Sequence, residues 1–199
     1  MKALLGLAAL IDKLNEFVGK SVIWLVLVAV LISAINAIAR KLFDVSSNAF
    51  LEMQWYLFSG VFLLGAAYTF QRNEHVRIDV VSGHFSHKTQ AWIDVFGILF
   101  FLMPMAVIIL ILSWPVFTLA YQTKELSPNA GGLVLWPARL LVPVGFALLV
   151  LQGLAELIKR LGFIVGMAPD PFAKPEGKTA EEELAEAIRK EHANNGGGA

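Results

Sequence analysis

EMQWYLFSGVFLLGAAYTFQRNEHVRIDV, residues 52–80, joins two kinds of chemistry. From Met53 to Gln71 no side chain is charged. A helix of roughly 20 such residues crosses a hydrocarbon core of about 30 Å. Arg72, Glu74, His75, Arg77 and Asp79 follow directly. The stretch reads as a membrane span that emerges into a charged cluster, either an active site at a helix end or a latch on the membrane surface.

The rest of the chain repeats the first half of that pattern. Of its 199 residues 57% are hydrophobic and 16% charged, with a mean hydropathy of +0.65. Soluble domains carry about 25% charged residues, so the composition belongs to a bilayer. Uncharged runs also cover Ser21–Ala39, Val95–Thr123 and Leu140–Ala155. An all-α integral membrane protein follows, with spans predicted at 18–39, 52–71, 94–116 and 136–158 inside a membrane domain of residues 17–162. The third run would reach roughly 43 Å as one helix. A kink or exit is therefore expected at Pro104 or Pro115, with the exit beside Trp114, because proline removes a backbone donor and clashes with the preceding turn.

Lysine and arginine orient such a protein. With four spans, the termini and the middle loop share a side carrying Lys2, Lys13, Lys20, Arg72, Arg77, Lys88 and all the cations after Ala155. The opposite side carries only Arg40, Lys41, Lys124 and Arg139. Both termini are expected in the cytoplasm, and the chain in an inner membrane.

Residues 1–16 resemble a signal peptide, but Leu4, Leu7, Ile11 and Leu14 recur at helical spacing opposite Asp12, Lys13, Asn15 and Glu16. An amphipathic interfacial helix is the better reading. Val76–Trp92 reads as a second surface segment on the same side. In the external loop, Ser127-Pro128-Asn129 and Gly131-Gly132 are turn chemistry, and Pro137 suits the first turn of the fourth span. Residues 163–199 read as a cytoplasmic tail: a proline-rich linker, a short helix at 179–192 with Thr179 and Glu182 at capping-box spacing, and a disordered end.

Several functions lose support. Zero formal net charge offers nothing to nucleic acid, and the absence of cysteine excludes disulfides and thiolate chemistry. Haem ligation needs histidines inside spans, whereas His75, His84, His87 and His192 lie outside them. His75, Asp79, His84 and His87 match no recognised metal signature, and no serine stands in a nucleophile turn. No metal, cofactor or catalytic residue is therefore assigned, and the chain reads as a non-enzyme. The uncharged runs contain no ionisable residue of the kind that couples ions to transport, so coupling chemistry is expected in another chain. Small residues offer packing instead: Glu52, Ser59 and Ala66 recur every seven residues, as do Gly60 and Ala67. Such positions let helices approach closely, within this chain or against a partner.

Taken together, Glu52, Leu64-Gly65-Ala66-Ala67, Arg72 and His75-Val76-Arg77-Ile78-Asp79, with Leu135-Trp136-Pro137, Pro143, Gly145-Phe146 and Leu151-Gln152, resemble the DctQ-type small membrane subunit of tripartite ATP-independent periplasmic (TRAP) transporters. The resemblance covers roughly residues 10–162. It implies a non-catalytic subunit that scaffolds a large multi-span subunit carrying the substrate path and sodium sites. It also implies a periplasmic substrate-binding protein and sodium-driven import of organic acids. Glu52, Ser59, Gly60, Gly65, Ala66, Arg72, His75, Arg77 and Asp79 are then candidate contacts to the partner or to lipid, with Arg72 and Arg77 facing phosphates or carboxylates. The competing reading is a membrane anchor that holds a cytoplasmic assembly through the 179–192 helix, with no part in transport.

Overall fold

The computed structural model describes residues 2–44, 47–72 and 85–171. The chain divides into two compact units, Met1–Pro169 and Asp170–Ala199. The second falls almost wholly outside the described residues, including the 179–192 segment. The first contains α1 (Lys2–Phe43), α2 (Asn48–Arg72), α3 (His87–Gly97), a π-helical turn (Ile98–Leu102), α4 (Met103–Thr123) and α5 (Trp136–Ile164). α3, the π turn and α4 run on as one rod, His87–Thr123. Among the described residues, four helical rods are long and apolar enough to cross a membrane.

α1 differs from expectation. No break separates residues 1–16 from the first span: 42 residues form one helix, about 63 Å long. No proline interrupts it. Its buried positions Ala8, Asn15, Val22, Ala29 and Asn36 recur every seven residues, the repeat of a helix that keeps one seam against its neighbours. The apolar face expected at Leu4, Leu7, Ile11 and Leu14 splits accordingly. Ile11 turns inward, while Leu4, Leu7 and Leu14 stay exposed. Of the second surface segment, residues 76–84 lie outside the described residues. From His87 onward it is already the start of the third rod, capped by Ser86, whose hydroxyl accepts from Thr89 N at 3.3 Å.

The third rod does not end at Pro115, which lies inside α4. Its irregularity comes just before Pro104. Proline there has no N–H to give and crowds the carbonyl of Phe100. The preceding turn widens, and Met103 N–H reaches back five residues to Ile98 O, the signature of a π bulge. α4 stops at Lys124, whose φ of 48° closes the helix in the left-handed region. α5 begins with Pro137 in its first turn, as expected, and runs through Pro143 to Ile164, past the predicted 158.

α5 is the hub. It packs on α1, on α2 and on the third rod, while α1 and α2 pack on each other. Close approach to α2 depends on Gly145: a Cβ there would lie 2.7 Å from the backbone oxygen of Leu63. Outward faces are apolar along all four rods, as lipid requires. A row of aromatic edges runs Trp114–Phe117 (5.7 Å), Phe117–Tyr121 (6.1 Å) and Tyr121–Trp136 (5.6 Å). It marks the end of the bundle that holds the α4–α5 loop. The start of α1 and the end of α5 share the opposite, terminal end.

Candidate functional site

Two polar constructions stand at the two ends of this apolar bundle. At the loop end, residues 124–135 form a small hairpin. Leu126 and Val134 pair as an antiparallel bridge, Ser127 N donates to Leu133 O at 2.9 Å, and Leu135 N donates to Glu125 O at 2.9 Å. The turn chemistry read at Ser127–Gly132 performs this reversal. Gly132 N donates to Asn129 O at 3.0 Å, and Gly131 sits at φ 69°. Tip residues Pro128, Asn129, Ala130 and Gly131 are exposed.

Glu52 holds that hairpin in place. Its side chain, 4% exposed, projects from the first turns of α2. It accepts from the Ser127 hydroxyl, from Asn129 Nδ2 at 2.8 Å and from Leu133 N at 2.7 Å. Among the described residues no cation pairs with it. Neutral donors from a loop 75 residues further on satisfy the carboxylate. Gly132 makes room, because a Cβ there would lie 2.8 Å from Glu52 Oε1. Asn48 Nδ2 to Ala130 O (3.0 Å) and Tyr56 Oη to Val134 O (3.1 Å) tie the hairpin to the same face of α2. Arg139 grips Glu125 with both guanidinium nitrogens at 2.6 and 2.7 Å.

The terminal end is built from charges. Gln152 on α5 accepts from Asn15 Nδ2 at 2.7 Å and donates to Asp12 at 2.8 Å and to Glu156 at 3.1 Å. Lys159 bridges Asp12, at 3.1 Å, and Glu156. Arg160 donates to Glu156 and, through Nε, to Asp94 of α3 at 2.9 Å. Glu156 and Arg160 are 5% and 4% exposed. Charge is thus buried in this chain, at the helix ends just beyond the uncharged runs. Around this inward layer the outward residues are apolar, with Leu10 and Phe17 on α1 and Trp92, Ile93 and Phe96 on the third rod. Ionisable groups near lipid turn inward and pair in this way because an unpaired charge facing hydrocarbon is costly.

The described candidate residues are distributed along α2 and gather at no single point. Gly60 is buried, with Leu25 of α1 and Leu141 of α5 nearest. Gly65 stands against Val22, and Ser59 and Ala66 are half-buried. Arg72 does not stand free: it pairs with Glu16 at 3.7 Å and lies over the Tyr68 ring at 5.3 Å. His75, Arg77 and Asp79 lie outside the described residues. Sequence reading missed Ser127 and Asn129 as partners of Glu52, and missed the layer of Asp12, Asp94, Glu156, Lys159 and Arg160. A signal for the layer was present: Gln152, Glu156 and Arg160 follow at four-residue steps and share one helix face. Nothing local in sequence links Glu52 to its loop.

A polytopic helical membrane protein whose polar side chains fasten helices and loops to one another is the class these features define. The chain matches the family described as tripartite ATP-independent periplasmic transporters, DctQ component, over residues 29–162. That is more than half of its length, and the chain belongs to this family: it is a membrane component of a transporter. No curated protein matches it. No solved structure matches it either.

Proposed function

We propose that this chain is the non-catalytic small permease subunit of a sodium-driven transporter that imports organic acids. In this reading it braces a large multi-span subunit, which carries the substrate path and the sodium ions. A periplasmic substrate-binding protein delivers the cargo. The chain sits in the inner membrane with its terminal end in the cytoplasm and the Glu52 hairpin in the periplasm. The distribution of lysine and arginine supports that orientation.

One observation carries the reading. The charges at the terminal end are consumed in bonds within the bundle: Asp12 with Lys159 and Asp94 with Arg160 join helices, and Glu156 holds Lys159 and Arg160 along α5. A coupling site needs a group whose charge state or occupancy changes through the cycle. Such a set of paired charges suits a brace. Lipid headgroups and the large subunit are the proposed partners of Arg77 and Asp79, whose replacement by alanine should lower the yield of the complex.

Proteoliposomes test the function. The large subunit is reconstituted with and without this chain, with the binding protein outside and an inward sodium gradient imposed. Uptake of a labelled organic acid is expected only when the chain is present. Full uptake without it would overturn the role.

A further inference from the structure

A polar groove opens between α1 and α2 at the loop end of the bundle. It encloses about 490 Å³ and is lined by Asn36, Arg40, Lys41 and Asp44 on the α1 side and by Leu51 and Gln54 of α2. Arg40, Lys41 and Asp44 are exposed, and among the described residues none of the three forms an ion pair. Asn36 belongs to the floor. It is 9% exposed and stands inside the uncharged run Ser21–Ala39. Asn15, on the same seam of α1, bonds Gln152, but Asn36 Oδ1 is buried with no partner among the described residues. Leaving an amide unbonded at such a depth is costly, and packing alone would be served better by an apolar side chain.

Order along the groove identifies what completes it. Asn36, Arg40 and Asp44 follow at steps of four residues, about 6 Å each, and so lie along one face. From hydrocarbon to water the groove presents an amide, then two cations, then a carboxylate. A phospholipid with a primary amine presents ester carbonyls, phosphate and ammonium in that same order. We infer that the groove is a binding site for such a lipid, phosphatidylethanolamine in its chemistry, in the leaflet at the loop end. The Asn36 amide meets an ester carbonyl, Arg40 and Lys41 hold the phosphate, and Asp44 takes the ammonium. Basic pockets between membrane helices hold lipid headgroups in this way. An anionic headgroup without an amine is repelled by Asp44, and free phosphate leaves Asn36 and Asp44 unused. Leu51 beside the groove and Leu31 and Ile35 below it are exposed and apolar, which keeps the acyl chains in hydrocarbon.

Chain length keeps the undescribed residues off the groove floor. Residues 45 and 46 are two links between Asp44 and Ser47, whereas Asn36 lies about 12 Å below Asp44. Residues 73–84 leave from Arg72, about 27 Å along α2 from Gln54, and must return to Phe85. Twelve residues extend at most about 43 Å, short of that round trip. Residues 172–199 follow the far end of α5 and carry charges that bar a crossing of the hydrocarbon. Such a site requires only that the chain spans a bilayer, whichever protein it serves.

Lipid retention by the full chain tests the site. The tagged chain is purified from native membranes in mild detergent, with whatever protein accompanies it, and stripped of lipid. Phosphatidylethanolamine, phosphatidylglycerol or soluble phosphoethanolamine is then supplied, and native mass spectrometry counts what stays bound. Wild type should keep a single phosphatidylethanolamine, and Arg40→Gln with Lys41→Gln should lower its retention about tenfold or more. Asn36→Leu should lower it as well. Asp44→Asn should erase the preference for phosphatidylethanolamine over phosphatidylglycerol. Unfolding temperatures without added lipid should match wild type in the Arg40, Lys41 and Asp44 variants, since these side chains are exposed and unpaired among the described residues. Equal retention of the two lipids by wild type, or retention unchanged in the variants, would overturn the site. So would phosphoethanolamine binding without lipid retention, or a wild-type chain whose groove is filled by an accompanying protein and keeps no lipid.

Discussion

Replacing Arg160 by methionine puts the inward charge layer to a quantitative test. Arg160 is almost fully enclosed and bonds two acids on different helices, Glu156 beside it on α5 and Asp94 on α3. Methionine fills a similar volume but leaves Glu156 with Lys159 as its remaining cation, beside the Gln152 amide. Breaking one partner from a buried pair costs about 3–5 kcal/mol, because the remaining charge keeps its desolvation penalty. Removing both partners is often neutral, since well-packed apolar side chains need no solvation. Arg160→Met should therefore lower stability by about 3–5 kcal/mol, and Glu156→Leu with Arg160→Met should recover the share of that loss that comes from Glu156, while Asp94 still lacks Arg160. The assay is reversible unfolding in mixed micelles of mild detergent and SDS, followed by tryptophan fluorescence. A loss below about 1 kcal/mol in the single variant, the value of an exposed pair, would refute the reasoning. The layer would then be hydrated, and the apolar residues around it would not close it off.

Other outcomes follow from the same structure. Gly145→Ala drives a methyl into the backbone of Leu63 and should destabilise the α2–α5 contact by about 1–3 kcal/mol, read in the same unfolding assay. Glu52→Ala deprives Ser127, Asn129 and Leu133 of their shared acceptor. Amide exchange in residues 125–135 should accelerate while exchange in α5 below Gly145 stays as it was. Exchange rates equal to wild type in the hairpin would show that it holds without the carboxylate. Arg139→Lys gives up a two-pronged grip on Glu125, but both side chains are about a third exposed. Its effect should stay under about 1 kcal/mol, with the hairpin still protected.

Much of this architecture could be read from where charges are missing. Four uncharged runs predict four rods, since a bilayer admits few alternatives for a backbone without water. Pro137 and the Ser127–Gly132 turn also fell where local chemistry placed them. What stayed illegible depends on long-range packing. Leu4, Leu7, Ile11 and Leu14 look like one amphipathic face, yet Ala155 draws Ile11 inward and leaves Leu7 and Leu14 outside. Pro104 and Pro115 carry the same local signal. Only the first coincides with a widened turn, and the rod continues through the second. Glu156, Lys159 and Arg160 resemble the polar fringe of a helix leaving the membrane. Their inward turn becomes visible only with Asp12 and Asp94 in place, 147 residues from Lys159 and 66 from Arg160 along the chain. For Glu52, an isolated carboxylate at a helix start is compatible with a cap, a partner or water, and the loop that claims it arrives through tertiary structure alone.

The central claim is that this chain is half of a membrane pair. Its most direct test is purification of the tagged chain, with and without residues 170–199, from native membranes in mild detergent, with the recovered proteins identified by mass spectrometry. The account predicts a large multi-span membrane protein in near-equal amount, retained when the tail is removed. Recovery of this chain alone, or of a soluble cytoplasmic assembly lost with the tail, would contradict it.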